Sequence, residues 1–201
     1  MLDAILRKHI DPPLDRIGRT LAALGASANA VTIAGLALGL ASALLIALGE
    51  FRWALLPLLA SRIADGLDGA VARATRRTDF GGFLDITSDF LFYGAVPFAF
   101  ILADPARNAT TGGFLLLSFY VNGASFLAYA AMAAKHGLSS DARGLKNLYY
   151  SGGLLEGSET IAFFVAICIF PQSFPILAGI FAGLCFLTCM QRCLHAYRTF
   201  S

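Results

Sequence analysis

The sequence predicts an all-α polytopic membrane protein, with six transmembrane helices preceded by an amphipathic interfacial helix. Three observations predict it. Apolar residues make up 57% of the 201 residues and charged residues only 14%, where a soluble domain carries ~25% charged. The apolar residues also come in long runs, since residues 21–49, 110–134 and 171–191 contain no charge. A helix of ~20 apolar residues crosses a ~30 Å hydrocarbon layer. Finally, the basic residues segregate to alternate loops, as described below.

Residues 1–25 read as a cytoplasmic juxtamembrane segment. Leu2, Ile5, Leu6, Ile10, Leu14, Ile17 and Leu21 recur at mostly helical intervals, with Arg7, Lys8, Arg16 and Arg19 between them. That is the pattern of a helix lying in the headgroup layer; a plain basic tail is the alternative. Pro12 and Pro13 are expected to interrupt any single continuous helix here. The segment lacks the unbroken apolar core of a cleavable signal peptide.

Residues 26–201 read as one six-span membrane domain, with spans at 30–49, 53–74, 81–103, 112–134, 154–170 and 174–195. Short turns at 49–52 and 170–174 and a polar loop at 104–111 face one side. The loops near 75–80, including Asp79, and 135–152 face the other. Twelve basic residues fall on the N-terminal side (Arg7, Lys8, Arg16, Arg19, Arg73, Arg76, Arg77, Lys135, Arg143, Lys146, Arg192 and Arg198). Only Arg52 and Arg107 fall opposite, with Arg62 inside the second span. Cytoplasmic loops carry the excess of Lys and Arg, so both termini are expected in the cytoplasm. Dense Gly and Ala in spans one, two, four and six permit close helix packing in lipid. Cys168, Cys185, Cys189 and Cys193 read as small buried apolar residues, and no disulfide is expected in these spans.

Spans two and three are interrupted by acid. Asp65 and Asp68 fall three apart on one stripe, with Ala72 one turn on and Gly69 beside them; Gly81, Asp85 and Asp89 fall four apart on another. A carboxylate at bilayer centre costs ~2.5–3.5 kcal/mol even on a lenient scale. Two antiparallel neighbours would bring all four carboxylates together at the cytoplasmic ends of their spans. Divalent cations are the economical compensators, and oxygen donors suit magnesium or manganese. Four carboxylates so spaced hold two such ions, an arrangement suited to phosphoryl chemistry. Small residues at Gly69, Ala72 and Gly81 leave room there for a ligand. Arg62, three residues before Asp65, reads as a brace for the cluster.

This pattern, Asp65-x-x-Asp68-Gly69-x-x-Ala72-Arg73, seven residues, then Gly81-x-x-x-Asp85-x-x-x-Asp89, resembles that of the CDP-alcohol phosphotransferase (phosphatidyltransferase) family at all eight of its defining positions. The six-span layout, with the pattern on spans two and three, is similar too. Asn29-Ala-Val-Thr32 resembles the family's Asn-x-x-Thr at the start of span one, with Ala28 where a proline often stands. The overall pattern is similar to that of a short bacterial branch.

The resemblance implies a phospholipid-synthesis enzyme of the bacterial inner (cytoplasmic) membrane, with its active site on the cytoplasmic side. It would transfer a phosphatidyl group from CDP-diacylglycerol to a small polar alcohol, such as glycerol 3-phosphate or an inositol-type acceptor, releasing CMP. It further implies that Asp65, Asp68 and Asp85 ligate two divalent cations, Mg2+ or Mn2+, with Asp89 completing the site and acting as general base. Arg73 would hold a phosphate oxygen. Gly69, Ala72 and Gly81, with Asn29 and Thr32, would receive the CDP moiety. Family members often form homodimers, and no nucleic-acid partner is implied.

The acceptor is less legible. Lys135, Arg143, Lys146 and Arg192 could hold a phosphorylated acceptor, or merely express the charge bias of that side. Glu156 and Glu159 could contact acceptor hydroxyls or pair with nearby cations. Two other readings of intramembrane acids are a cation transporter and a magnesium-dependent membrane prenyltransferase.

Overall fold

The computed structural model describes residues 3–138, 155 and 157–201, with side chains from Ile10 onward. Helix α1 spans Asp3–Ala23, α2 Ala28–Ala47, α3 Phe51–Ala74, α4 Asp79–Ala103, α5 Pro105–Lys135, α6 Gly157–Ile169 and α7 Phe174–Phe200. A 3₁₀ turn, Pro171–Ser173, joins the last two, and no strand occurs among the described residues. The chain is an all-α polytopic membrane protein.

Helices α2 to α7 fall on the six expected spans. Four of them, α2, α4, α5 and α7 with its preceding turn, are long and apolar enough to cross a membrane. Helix α3 carries Arg52, Arg62, Asp65, Asp68 and Arg73, and α6 has 13 residues, about 20 Å of helix. Length and composition therefore support four spans, where the sequence predicts six. Helix α3 lies against α2, and α6 packs on α3 and α7, so both belong to the same bundle.

Three local expectations are corrected. Pro12 and Pro13 do not break α1, which runs continuously from Asp3 to Ala23. Two prolines remove two backbone donors, but α1 is held from outside by α3. A Cβ on Gly18 would lie 2.6 Å from the Ala70 Cβ, and one on Gly66 2.7 Å from Leu14 Cδ1, so the two helices touch through their smallest residues. The polar stretch 104–111 is not a loop: Asp104 caps α5, its carboxylate accepting the Arg107 N–H at 3.2 Å, and Pro105 sits in the first turn. An acidic cap followed by proline favours a helix start. Asp79 likewise opens α4 instead of lying in the loop, behind the cap residue Thr78.

The core is aromatic. Phe92, Val96 and Phe100 of α4 are buried against Leu58 of α3, Phe164 and Ile167 of α6, and Phe174 and Ala182 of α7. The rings of Phe100 and Phe174 stack with centroids 4.6 Å apart, and those of Phe163 and Phe181 at 4.3 Å. The outer surface is equally apolar: Leu44, Trp53, Leu56, Phe83, Ile176 and Ile180 are all exposed. Apolar surface of that extent on a soluble monomer would be anomalous, and on a membrane protein it faces lipid. Cys168, Cys185 and Cys189 are buried as expected, whereas Cys193 is exposed.

Candidate active site

Two helix ends and one short loop build the site. Helix α3 ends at Ala74 and α4 starts at Asp79, so the last turns of one face the first turns of the other. Thr78 accepts the Gly81 N–H at 3.0 Å and so fixes the start of α4. The 3.6-residue repeat then aims Asp65 and Asp68 from α3, and Asp85 from α4, into one space. One carboxylate oxygen from each of the three lies within 4.8 Å of the others.

Three negative groups at that separation repel one another by roughly 3 kcal/mol per pair at an effective dielectric of ~20. They are braced from the side of α2. The hydroxyl of Thr32 lies 2.6 Å from Asp68 Oδ2, and Asp68 is buried. Asn29, one turn earlier on α2, places its Oδ1 3.2 Å from where a Gly81 Cβ would be. Any larger residue at position 81 would displace that amide. A groove of about 330 Å³ opens beside Asn29 and Thr78, lined also by Ala22, Gly25, Ser27 and Arg76.

The fourth carboxylate is held by an arginine. Asp89 Oδ1 accepts a hydrogen bond from Arg62 Nη1 at 2.9 Å, and the same nitrogen lies 3.7 Å from Asp65. The guanidinium sits over the Phe92 ring, 3.9 Å from its centroid. The cluster of four expected from the sequence is thus three converging carboxylates plus one held by an arginine. Arg62 does brace the acids.

Arg73 lies at the mouth of the site and points toward α1. Its Nε and Nη2 both bond Asp15 Oδ1, at 3.0 and 2.6 Å. It passes over Gly69, where a Cβ would come 3.4 Å from its Nη1. Asp15 is a site neighbour that sequence reasoning missed. Its partner lies 58 residues away, and only its place among basic residues on an amphipathic helix hinted at it.

The proposed acceptor residues scatter more. Lys135 ends α5 and is exposed. Arg192 is buried on α7, its Nη1 within 2.9 Å of the Asn122 carbonyl, Asn122 Oδ1 and Ser125 Oγ of α5. Glu159 sits half-buried in the first turn of α6, accepting from Ser158 Oγ at 3.2 Å. Arg143, Lys146 and Glu156 lie outside the described residues.

The donor set fits a hard divalent cation. It offers carboxylate oxygens at short range, a hydroxyl holding one of them in place, and a nearby arginine engaged with the remaining acid.

An all-α membrane bundle with this acidic site at a helix–loop–helix junction defines a class. The chain belongs to the CDP-alcohol phosphatidyltransferase family, whose model matches residues 25–190. It is a transferase of that class, which decides against the transporter and prenyltransferase readings of the same acids.

Its relatives narrow the picture further. It is 47% identical over 199 residues to the inner membrane protein YnjF of Escherichia coli, covering 99% of this chain and 97% of that one. It is 37% identical to the archaetidylinositol phosphate synthase of Pyrococcus horikoshii, over 58% of this chain and 63% of that one. Among solved structures it resembles the phosphatidylinositol phosphate synthase PgsA1 of Mycobacterium tuberculosis with CDP-DAG bound, with TM-score 0.67, 25% identity, and 92% and 94% of the two chains covered. The same enzyme in complex with manganese and citrate gives a TM-score of 0.69 at 26% identity, covering 92% of this chain and 89% of that one.

Proposed function

We propose that this protein transfers a phosphatidyl group from CDP-diacylglycerol to a hydroxyl of a phosphorylated polyol of the inositol phosphate type, releasing CMP. The observation that carries the proposal is the convergence of Asp65, Asp68 and Asp85 within 4.8 Å, in a chain matched by the family model across 25–190. The acceptor class is supported by relatives named for inositol phosphate products, and the donor by a neighbour with CDP-DAG bound. Glycerol 3-phosphate is the competing acceptor.

Asp65, Asp68 and Asp85 would hold divalent cations, with Asp89 completing the set, and manganese in a neighbour's structure supports that class of ion. When bound, the two ions would offset the charge of the diphosphate and of the departing CMP phosphate. The residues themselves do the rest. Thr32 keeps Asp68 oriented. Asn29 and Gly81 keep the approach to the groove narrow, where the nucleotide would lie, and Gly69 and Ala72 admit its phosphates. Arg73 exchanges Asp15 for a phosphate oxygen. Asp89 takes the proton of the acceptor hydroxyl, and the resulting alkoxide attacks the lipid-bearing phosphorus. Lys135 and Arg192, with Glu159, would orient the acceptor; the three α5 oxygens that fix one Arg192 nitrogen suit a preset arginine.

The remaining features of the reading are topological. Twelve basic residues against two across the loops support cytoplasmic termini and a cytoplasmic active site. The likeness to an inner membrane protein supports that membrane. A homodimer in the membrane is proposed on the family's habit, and light scattering in detergent reads it directly.

The test is purified protein supplied with CDP-diacylglycerol and a panel of alcohols, with CMP and the lipid product measured by mass spectrometry. An inositol phosphate should give both products at least ten times faster than glycerol 3-phosphate or free inositol. Equal or faster turnover with glycerol 3-phosphate would replace the acceptor, and CMP release with none of them would remove the reading.

A further inference from the structure

Helix α5 carries a polar side chain beside Arg192 that the transfer reaction, as derived so far, does not use. Asn122 is half-buried. Its backbone carbonyl and its Oδ1 both accept from Arg192 Nη1, at 2.8 and 2.9 Å, and Ser125 Oγ accepts from the same nitrogen at 2.6 Å. The Ser125 hydroxyl donates in turn to the Asn122 carbonyl at 2.7 Å and closes the ring of contacts. A guanidinium has donors and no acceptor, so the edge of the amide that meets it must be the oxygen. Arg192 therefore fixes which way the Asn122 amide is turned. The NH2 edge, with its two donors, is turned from the arginine, and no acceptor among the described residues bonds it.

The same stretch of α5 is keyed to the fourth carboxylate. A Cβ on Gly123 would collide with the Phe90 ring of α4, and Gly112 meets Ile101 in the same antiparallel register. Phe90 follows Asp89 in the chain. Toward α7, Cys189 Sγ donates to the Val121 carbonyl at 3.9 Å, and the Tyr129 and His195 rings stack with centroids 5.5 Å apart. Contacts on either side of Asn122 thus hold α7 in step with α5. The three helices bring Asp89, Asn122 and Arg192 to one depth in the bundle.

We propose that Asn122 is an acceptor-binding residue whose amide N–H groups hold a phosphate oxygen of the phosphorylated alcohol, with Arg192 keeping the amide in its donating orientation. The proposal rests on the phosphorylated-acceptor reading given above. An ionised phosphate binds best where N–H donors already point at it. A freely flipping asparagine would present oxygen as often as nitrogen, and oxygen repels phosphate. Arg192 removes that choice, because a flip would set NH2 against a guanidinium and lose the bond at 2.9 Å. The depth shared with Asp89 lets one small molecule meet both groups, its hydroxyl at the carboxylate and its phosphate at the amide.

The test is steady-state kinetics of the purified chain in detergent for wild type, Asn122→Asp and Asn122→Ala, with an inositol phosphate, glycerol 3-phosphate and free inositol as acceptors. Asn122→Asp keeps an oxygen for Arg192 but replaces the donor with negative charge. It should melt no lower than wild type and yet bind the phosphorylated acceptor worst of the three. Asn122→Ala removes the donor without adding charge and should raise KM for the preferred phosphorylated acceptor about tenfold, the effect of one lost hydrogen bond to a charged group. In both, KM for CDP-diacylglycerol and turnover with free inositol should change little. Monodispersity on size exclusion certifies each variant, and the alanine variant carries the comparison if the aspartate variant does not fold. An unchanged KM for the phosphorylated acceptor in the folded variants, or equal losses with phosphorylated and free alcohols, would overturn the role given to Asn122 and leave the transfer reaction standing. A wild type that prefers free inositol to both phosphorylated alcohols would overturn the phosphorylated-acceptor reading and this inference with it.

Discussion

The Thr32 hydroxyl lies 2.6 Å from Asp68 Oδ2, so a residue of α2 fixes the most buried carboxylate of the site. The sequence resemblance gives Thr32 to the nucleotide; the geometry gives it first to a metal-ligand candidate. Partners of this kind orient a ligand, and their loss commonly weakens metal binding or activity ~10–100-fold. Thr32→Val should therefore lower the affinity for Mn2+ about tenfold or more, read by calorimetry, while Thr32→Ser should retain it. A valine variant with wild-type affinity would make Thr32 a packing residue only.

Arg73 and Asp15 are both more than a third exposed, and exposed ion pairs contribute only ~0–1 kcal/mol. Asp15→Asn should shift the melting midpoint little and leave CMP release within a few-fold of wild type. Arg73→Ala should lower kcat/KM about 100-fold, since a donor aimed at developing charge is worth roughly that much. Equal losses in the two variants would mean that the pair serves to hold α1 and not to free an arginine for phosphate.

Helix α1 reaches the site because Gly18 is small. A Cβ there would lie 2.6 Å from the Ala70 Cβ and 2.9 Å from the Ala70 carbonyl carbon, and backbone cannot swing aside. Gly18→Ala should destabilise by ~1–3 kcal/mol, the usual effect of overpacking, and make α1 a preferred site of limited proteolysis. Unaltered melting and cleavage would show that α1 is not seated on α3 as described.

The mutual repulsion of Asp65, Asp68 and Asp85 gives a prediction with opposite signs. Asp85→Asn should melt at or above the wild-type temperature in chelator, because one like charge is gone. Wild type should gain stability on adding Mn2+, about 2.7 kcal/mol at a hundredfold excess over Kd, and Asp85→Asn should gain far less. Differential scanning fluorimetry with and without Mn2+ reads both. A variant stabilised as much as wild type would take Asp85 out of the metal centre.

Much of this molecule was legible in its sequence because membrane helices obey few rules. Uncharged runs placed α2, α5 and α7, and the spacing of Asp65, Asp68 and Asp85 marked the helical stripes that converge. What escaped depends on tertiary contact. Pro12 and Pro13 stay helical because α3 supports α1, a fact that no local propensity contains. The Asp104-Pro105 cap could have been read, but polar composition argued for a loop. Asp15 finds Arg73, and Asp89 finds Arg62, only once the helices are packed. The brevity of α6 and the charge of α3 left the number of spans open to composition alone.

The central claim is that the converging aspartates run a cation-dependent release of CMP from CDP-diacylglycerol. Its most direct measurement is CMP production by the purified protein with its acceptor, before chelation, after exhaustive chelation, and after return of Mg2+ or Mn2+. The account predicts loss of turnover on chelation and recovery on return of the ion, with Asp68→Asn inactive throughout. Turnover that survives chelation, or persists in Asp68→Asn at the wild-type rate, would contradict it.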